Sequence, residues 1–353
     1  MSELAEVVKT FLLFILFSQT AIIMADPLFE SDEMIEIVVK GPFKQLNKER
    51  DKAQIYSPAS LTFQNNGEPL EIPIELQVRG NRRRSGGTCS FAPLRVIVDK
   101  KVVKDTLFHK QKKLKLVAQC RPGLKLYEQY VITEYLIYKS FNLLTENSYH
   151  ARLADITYVA QDGDTMFRHY GFFIEANKRL AKRIDRKRWR SDVIDATRLD
   201  RRHLNLVSLF QFMIGNTDWS ATHGSDNECC HNGKLFGEPE GNENLYIPYD
   251  FDMTGLVNPE YAATPVELKL DSIRERRYRG YCRNNEFLDQ NITLFNEKRE
   301  AITGLFESSP WLTKAASKKK ISYIKKFYKL INDPKRVKRH IHGWCHESKI
   351  VVS

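Results

Sequence analysis

"KKLKLVAQCRPGLKLYEQYVITEYLIYKSFNLLT", residues 112–145, contains the change of period that decides the fold. Over 112–120, Lys and Leu alternate as they do in a strand with one face against a core. From 127 onward, Tyr130, Val131, Ile132, Tyr135, Leu136, Tyr138 and Phe141 recur at helical spacings, so a long buried helix follows the strand. Upstream, 34–41, 70–80 and 93–100 read as strands, separated by the turn-forming stretches "NNGEP" and "SGGTCSFAP". Downstream, "ARLADITYVA" and "YGFFIEAN" are two more strands around the polar turn "QDGDTMFRH". Beyond 180 the pattern turns helical, with an apolar helix over 201–215 ending at Gly215 and two short helices over 308–333. The expected architecture is α+β and bilobal, with a sheet-rich N-lobe (26–176) and a mainly helical C-lobe (177–353). The lobes would meet near Glu175 around one cleft.

The first 25 residues are set apart. Lys9 precedes "TFLLFILFSQTAIIMA", an apolar run too short for a comfortable span and broken by Ser18, Gln19 and Thr20. It reads as a secretory signal peptide, with an uncleaved anchor as the alternative, and no later segment reaches spanning length. Export fits the six cysteines, some of which should pair in an oxidising compartment. Cys89 and Cys120 flank neighbouring strand-like segments and form the favoured bridge. Cys229, Cys230, His231 and His223 could instead gather zinc, but they lack C-x-x-C spacing.

The 55 Lys and Arg outnumber the 44 Asp and Glu, and the formal charge is +11. Basic clusters at 82–84, 178–190, 318–326 and 335–340 would attract nucleotide phosphates, acidic proteins or anionic lipid heads, unless they are simply solvated faces. Aromatic residues among them are too sparse for a nucleic-acid track.

The window 214–255 holds Asp218, Asn232, Asp250 and Asp252 among apolar residues. Burying carboxylates is costly, so these residues either cap turns or hold a cation. Asp218 follows Gly215 and Asn216, where a helix stops, and a turn accounts for it if it acts alone. On a strand, Asp250 and Asp252 would point to opposite faces. As a set they suit phosphoryl transfer, which needs hard oxygen ligands for magnesium, an Asp near the acceptor hydroxyl, and a base on the phosphates. Lys115 precedes the long helix and Glu134 lies within it, at ion-pairing positions in such a site. The chain has no G-x-S-x-G elbow, H-E-x-x-H or paired C-x-x-C. A glycosidase using Asp218 and Asp250 would need one carboxyl of raised pKa at a defined separation, and the neighbouring Asn232 favours a cation instead.

These residues carry a resemblance. The chain resembles the CotH (spore coat protein H) type of atypical secreted kinase over roughly 70–290. "ELQVRGNRRR" is similar to that family's opening motif, "YGFFIEANKR" to its G-x-Y-x-x-x-E strand, and "GNTDWS…HN…IPYDFD" to its N-x-D…N…D-x-D run. The same acidic order occurs in HipA-like and lipid kinases. The resemblance implies a protein-kinase-like fold, ATP as donor, and Mg2+ or Mn2+ as cofactor. It makes Asp218 catalytic, and Asn232, Asp250 and Asp252 metal ligands. Glu175 would sit beside the adenine, and Lys115 or Arg95 on the phosphates. The Asp218-to-Asn232 spacing is longer than a compact catalytic loop, so "ATHGSDNECC" reads as an insertion and Asn227 is an alternative ligand. No Gly-rich phosphate loop is present.

Two functions follow as expectations. One is an exported kinase acting on a protein or small-molecule hydroxyl, with AMP transfer open to the same residues. The other is a catalytically inactive kinase-like scaffold whose basic surface holds an acidic partner. A membrane-tethered nucleic-acid binder is the third and weakest.

Overall fold

The structure, a computed structural model, describes residues 26–51, 56–80, 82–224 and 229–347. The leader and Asn227 lie outside these residues. The strands are β1 (Ile35–Gly41), β2 (Tyr56–Asn65), β3 (Glu68–Val78), β4 (Leu94–Val98), β5 (Lys113–Val117), β6 (Ala151–Ala160), β7 (Thr165–Ile174), β8 (Arg188–Trp189), β9 (Gly233–Phe236) and β10 (Leu245–Pro248). The helices are α1 (Pro27–Glu30), α2 (Phe43–Lys48), α3 (Lys125–Asn142), α4 (Asn177–Arg183), α5 (Arg201–Ile214), α6 (Leu288–Glu297), α7 (Arg299–Glu307), α8 (Lys314–Ile331) and α9 (Pro334–Val337).

The first seven strands close into a barrel in the order β1-β2-β3-β4-β5-β7-β6. The seam is β1 on β6, a parallel pair running from Ile35↔Ala154 to Gly41↔Ala160, while the other barrel pairs are antiparallel. Closure removes the open edges that a free sheet would present. The interior is packed solid with side chains. Phe108 meets Phe63 at 4.8 Å and Phe173 at 5.7 Å between ring centroids, both edge-on. Phe91 stands 5.1 Å from Tyr158 in the same geometry.

This overturns the bilobal kinase fold expected from the sequence. The sheet is a closed mixed barrel, and the second core does not respect a lobe boundary. Ile132, Leu136 and Phe141 of α3, Leu153 of β6 and Phe172 of β7 share one buried cluster with Phe210 of α5 and Phe327 of α8. The outer wall of the barrel and the helices are therefore parts of one apolar mass, with α3 between them.

Two elements differ from their sequence reading. β2 contains Pro58, Ser57 and Ser60, which break the apolar alternation, yet it pairs with β3 along its full length. The stretch 308–333 holds one long helix, α8 (Lys314–Ile331), rather than two short ones. Thr313 caps it, its hydroxyl accepting from Ala316 N at 3.2 Å. Within it Lys320 turns inward and its ammonium donates to the carbonyls of Leu256 and Val257 at 2.7 and 2.9 Å.

Three disulfides join Cys89–Cys120, Cys229–Cys230 and Cys282–Cys345. The first is the pair favoured from sequence. The second places in a bridge the two thiols that a zinc reading would have used. Among the described residues no helix is long and apolar enough to cross a membrane.

Candidate functional site

The end of α5 and the end of β10 bring the acids together. Asp200 caps α5, its carboxylate accepting from His203 N at 2.6 Å. The helix stops at Gly215 in the left-handed region (φ 65°), where an added Cβ would strike the Tyr323 hydroxyl. Asn216 then accepts from Asp218 N at 2.9 Å, a side-chain turn that fixes the start of the loop.

β9 and β10 pair antiparallel, and the ladder continues with Tyr249 N donating to Asn232 O at 2.9 Å. Gly233 begins β9 because the Tyr246 ring lies where a side chain would be. Asn232 and Asp250 both have positive φ, 50° and 65°. Asn and Asp tolerate that region best among residues with side chains. The N–H of Asp250 donates to the Tyr138 hydroxyl on α3 at 2.9 Å. After Asp252 the chain returns to α5, with Gly255 N on Gly215 O at 3.0 Å and Leu256 N on Ile214 O at 2.9 Å.

Asp218 is held on both carboxylate oxygens. His231 Nε2 lies 2.7 Å from Oδ1, and Asn232 Nδ2 donates to Oδ2 at 3.0 Å and to the backbone carbonyl at 2.7 Å. The contact with Asp218 raises the His231 pKa. Asn232 thus reaches back to Asp218, and its amide is committed to that residue.

The barrel supplies cations from its rim. Lys115 on β5 faces Arg95 on β4 and Ile174 on β7. Its ammonium stands 3.9 Å from the centroid of the Tyr249 ring. Burial, reinforced by Arg79, pushes its pKa down to about 7, while Asp250 opposes the shift. Arg79, just past β3, donates to the carbonyls of Leu94 and Leu116 at 3.1 and 3.4 Å. Arg83 donates to Ala118 O at 2.8 Å and comes within 3.6 Å of Asp252 Oδ2. Arg95 is spent on Gln77, at 2.7 Å.

Carboxylates crowd the other side. Asp252 accepts from the Tyr261 hydroxyl at 3.1 Å, and burial followed by the charge of Asp250 raises its pKa to about 6. Glu134 is 2 % exposed; burial, then Asp252, drives its pKa well above the carboxylate range. Among the described residues its Oε1 has no hydrogen-bond partner. The chain from Asp250 to Asp252 is loop rather than strand, so strand alternation does not part the two acids, and Glu134 and Arg83 feel both.

No protein-family model matches the chain, and no curated protein matches it.

One sequence expectation is not met in geometry. Among the described residues Lys115 and Glu134 form no ion pair; Glu134 looks toward Arg83 and Arg79, and Lys115 toward Tyr249 and Asp250. The Glu175 carboxylate is consumed by Arg183 at 2.8 Å and by His150 N at 3.2 Å. Among the described residues no three His, Cys, Asp or Glu side chains converge as a closed metal cage. From sequence, Arg79, Arg83, His231, Tyr138 and Tyr261 had no role at this site: His231 was a zinc candidate, Arg83 one of a basic cluster, and Tyr138 a core position of the long helix. Arg79 had a visible signal, a lone cation closing an apolar strand in "ELQVRG", whereas the tyrosines read simply as core. Beside Asp218 opens a cleft of about 460 Å³ lined in part by His231, Met253, Glu267 and Arg279.

Proposed function

We propose that this junction binds a metal–nucleotide and that the chain transfers its phosphoryl group to an acceptor hydroxyl, as the resemblance to CotH-type kinases implies. The proposal rests on the site and not on the fold. One observation carries it: Asp250 lies in the field of cations on one side (Lys115, Arg79, Arg83) and of crowded carboxylates on the other (Asp252, Glu134). On the cationic side Lys115 and Arg79 are pushed toward their neutral forms and would gain from a polyanion, whereas the neighbouring acids already favour the charge of Arg83. The acidic side disfavours its own charge and would gain from a divalent cation. A metal–triphosphate relieves both at once.

In this reading Asp250 and Asp252 hold Mg2+ or Mn2+, with phosphate oxygens and water completing the shell. The ion would screen charge on the phosphates. Lys115 and Arg79 orient the phosphates. Asp218 faces the cleft, where an acceptor hydroxyl enters, and takes its proton as the new P–O bond forms and the bond to ADP breaks.

A second reading is a catalytically silent binding protein. It is favoured by Asp218, whose two oxygens are already engaged by His231 and Asn232. Calorimetry with ATP and Mn2+, followed by transfer of radiolabelled phosphate, separates the two. The wild type should bind ATP only with metal. Asp250→Asn, which tolerates the left-handed backbone, should lose that heat and keep its fold. Asp218→Asn should retain binding and lose transfer. An Asp250→Asn variant that binds metal–ATP normally removes the proposal, and binding without transfer by the wild type leaves the silent reading.

A further inference from the structure

The basic stretch 178–190 divides into two faces. Arg179 and Arg183 turn inward, to Asp26 at 2.9 Å and Glu175 at 2.8 Å, and fasten α4 to the body of the protein. Lys178, Lys182, Arg186 and Lys187 remain exposed. With Arg188 they line an open groove of about 870 Å³ between α4 and the turn after β9. The groove has five cationic side chains and two carboxylates, Asp185 and Glu238, and Glu238 is paired with Lys187 at 3.2 Å. Like charges gathered on one concave surface repel one another and focus a positive potential there.

The form of the groove narrows the ligand. Lys178 and Lys182 are one helical turn apart, about 6 Å along the axis. Side chains on one side of an extended polypeptide recur every ~7 Å, a close match. Among the described residues no aromatic side chain lines the groove, so nucleobases have no platform on which to stack. The cations follow one another along the wall, an arrangement suited to a row of separate charges rather than to a single phosphate. We infer that the groove docks an extended acidic polypeptide with carboxylates at alternate positions. β9 runs from this groove back to Asn232, so the docked segment lies roughly 13 Å from the Asp218 loop. The inference does not depend on phosphoryl transfer.

The test is fluorescence anisotropy of the full chain with a labelled peptide of alternating Glu and Ser. Lys182→Glu with Arg186→Glu should weaken binding about tenfold or more, and added salt should do the same. Lys325→Glu with Lys326→Glu, an equal charge change on exposed α8 positions, should leave the affinity within about twofold. The thermal melts of both variants should match the wild type, since all four side chains are at the surface. Equal weakening by both pairs, or no weakening by the first, overturns the proposal. So does an unlabelled single-stranded oligonucleotide, or inorganic phosphate at millimolar concentration, that displaces the peptide more effectively than unlabelled peptide does. Metal–ATP calorimetry on the same α4 variant keeps the two proposals separate, because neither residue belongs to the junction.

Discussion

The inside of the barrel and the junction at its rim are made of opposite materials. The barrel interior is aromatic and aliphatic, with Phe43, Phe63, Phe91, Phe108 and Phe173 all under 5 % exposed. The junction buries Glu134 and Asp252 and half-buries Arg79, Arg83 and Lys115 beside them. Apolar burial stabilises the fold by roughly 25 cal/mol per Å². Burying charges costs free energy unless they are matched, and the shifted pKa values of Glu134, Asp252 and Lys115 show that matching is incomplete. The barrel therefore reads as the part that holds the molecule together, and the junction as the part kept for a ligand.

The strongest way to break this contrast is Phe108→Ala, which empties the centre of the barrel. It should cost about 3–5 kcal/mol by urea denaturation while leaving the metal–ATP affinity of the folded fraction unchanged. Coupled loss of affinity would mean that the two regions are not separable. Glu134→Gln makes the reverse case. The carboxyl is already biased toward its neutral form, so an amide of equal shape should shift stability by no more than about 1 kcal/mol. Mn2+ affinity should fall in the same variant, as calorimetry would register. A large stability loss with unchanged Mn2+ affinity would reassign Glu134 to the scaffold.

The smallest effect is a pH dependence at a buried charge outside the junction. Burial lowers the Lys320 pKa to about 7 from its ordinary 10.5. Between those values the unfolded chain binds more protons than the native one, so Lys320 makes stability rise as pH climbs from about 7 toward 10.5. The neutral amine keeps two N–H groups, enough for both carbonyl bonds. Lys320→Met should therefore flatten the change in urea midpoint between pH 7 and 9.5, relative to the wild type. An unchanged slope would locate the titration elsewhere.

Much of this contrast was legible before the fold was known, because local patterns carry it. The alternation over 112–120 gave β5, the helical spacing over 127–145 gave α3, and Asp218, Asn232, Asp250 and Asp252 do gather in one region. What was not legible is long-range. The β1–β6 seam joins residues more than a hundred positions apart, and a strand that closes a barrel has the same two-residue repeat as one in an open sheet. Nor does the sequence reveal that α3 is apolar on the side facing the helices as well as on the side facing the barrel, since a helix buried all round looks only strongly hydrophobic. At the site, Glu134 lies in the field of Arg83 rather than of Lys115, and Arg83 itself is paired with Asp252, which also accepts from Tyr261.

The position of α3, packed on one flank by strands and on the other by helices, ties the described strands and helices into one apolar mass. Whatever enters the rim must be accommodated by loops and side-chain rotamers, with no rigid-body swing of one half against the other. The radius of gyration should then be the same with and without cargo.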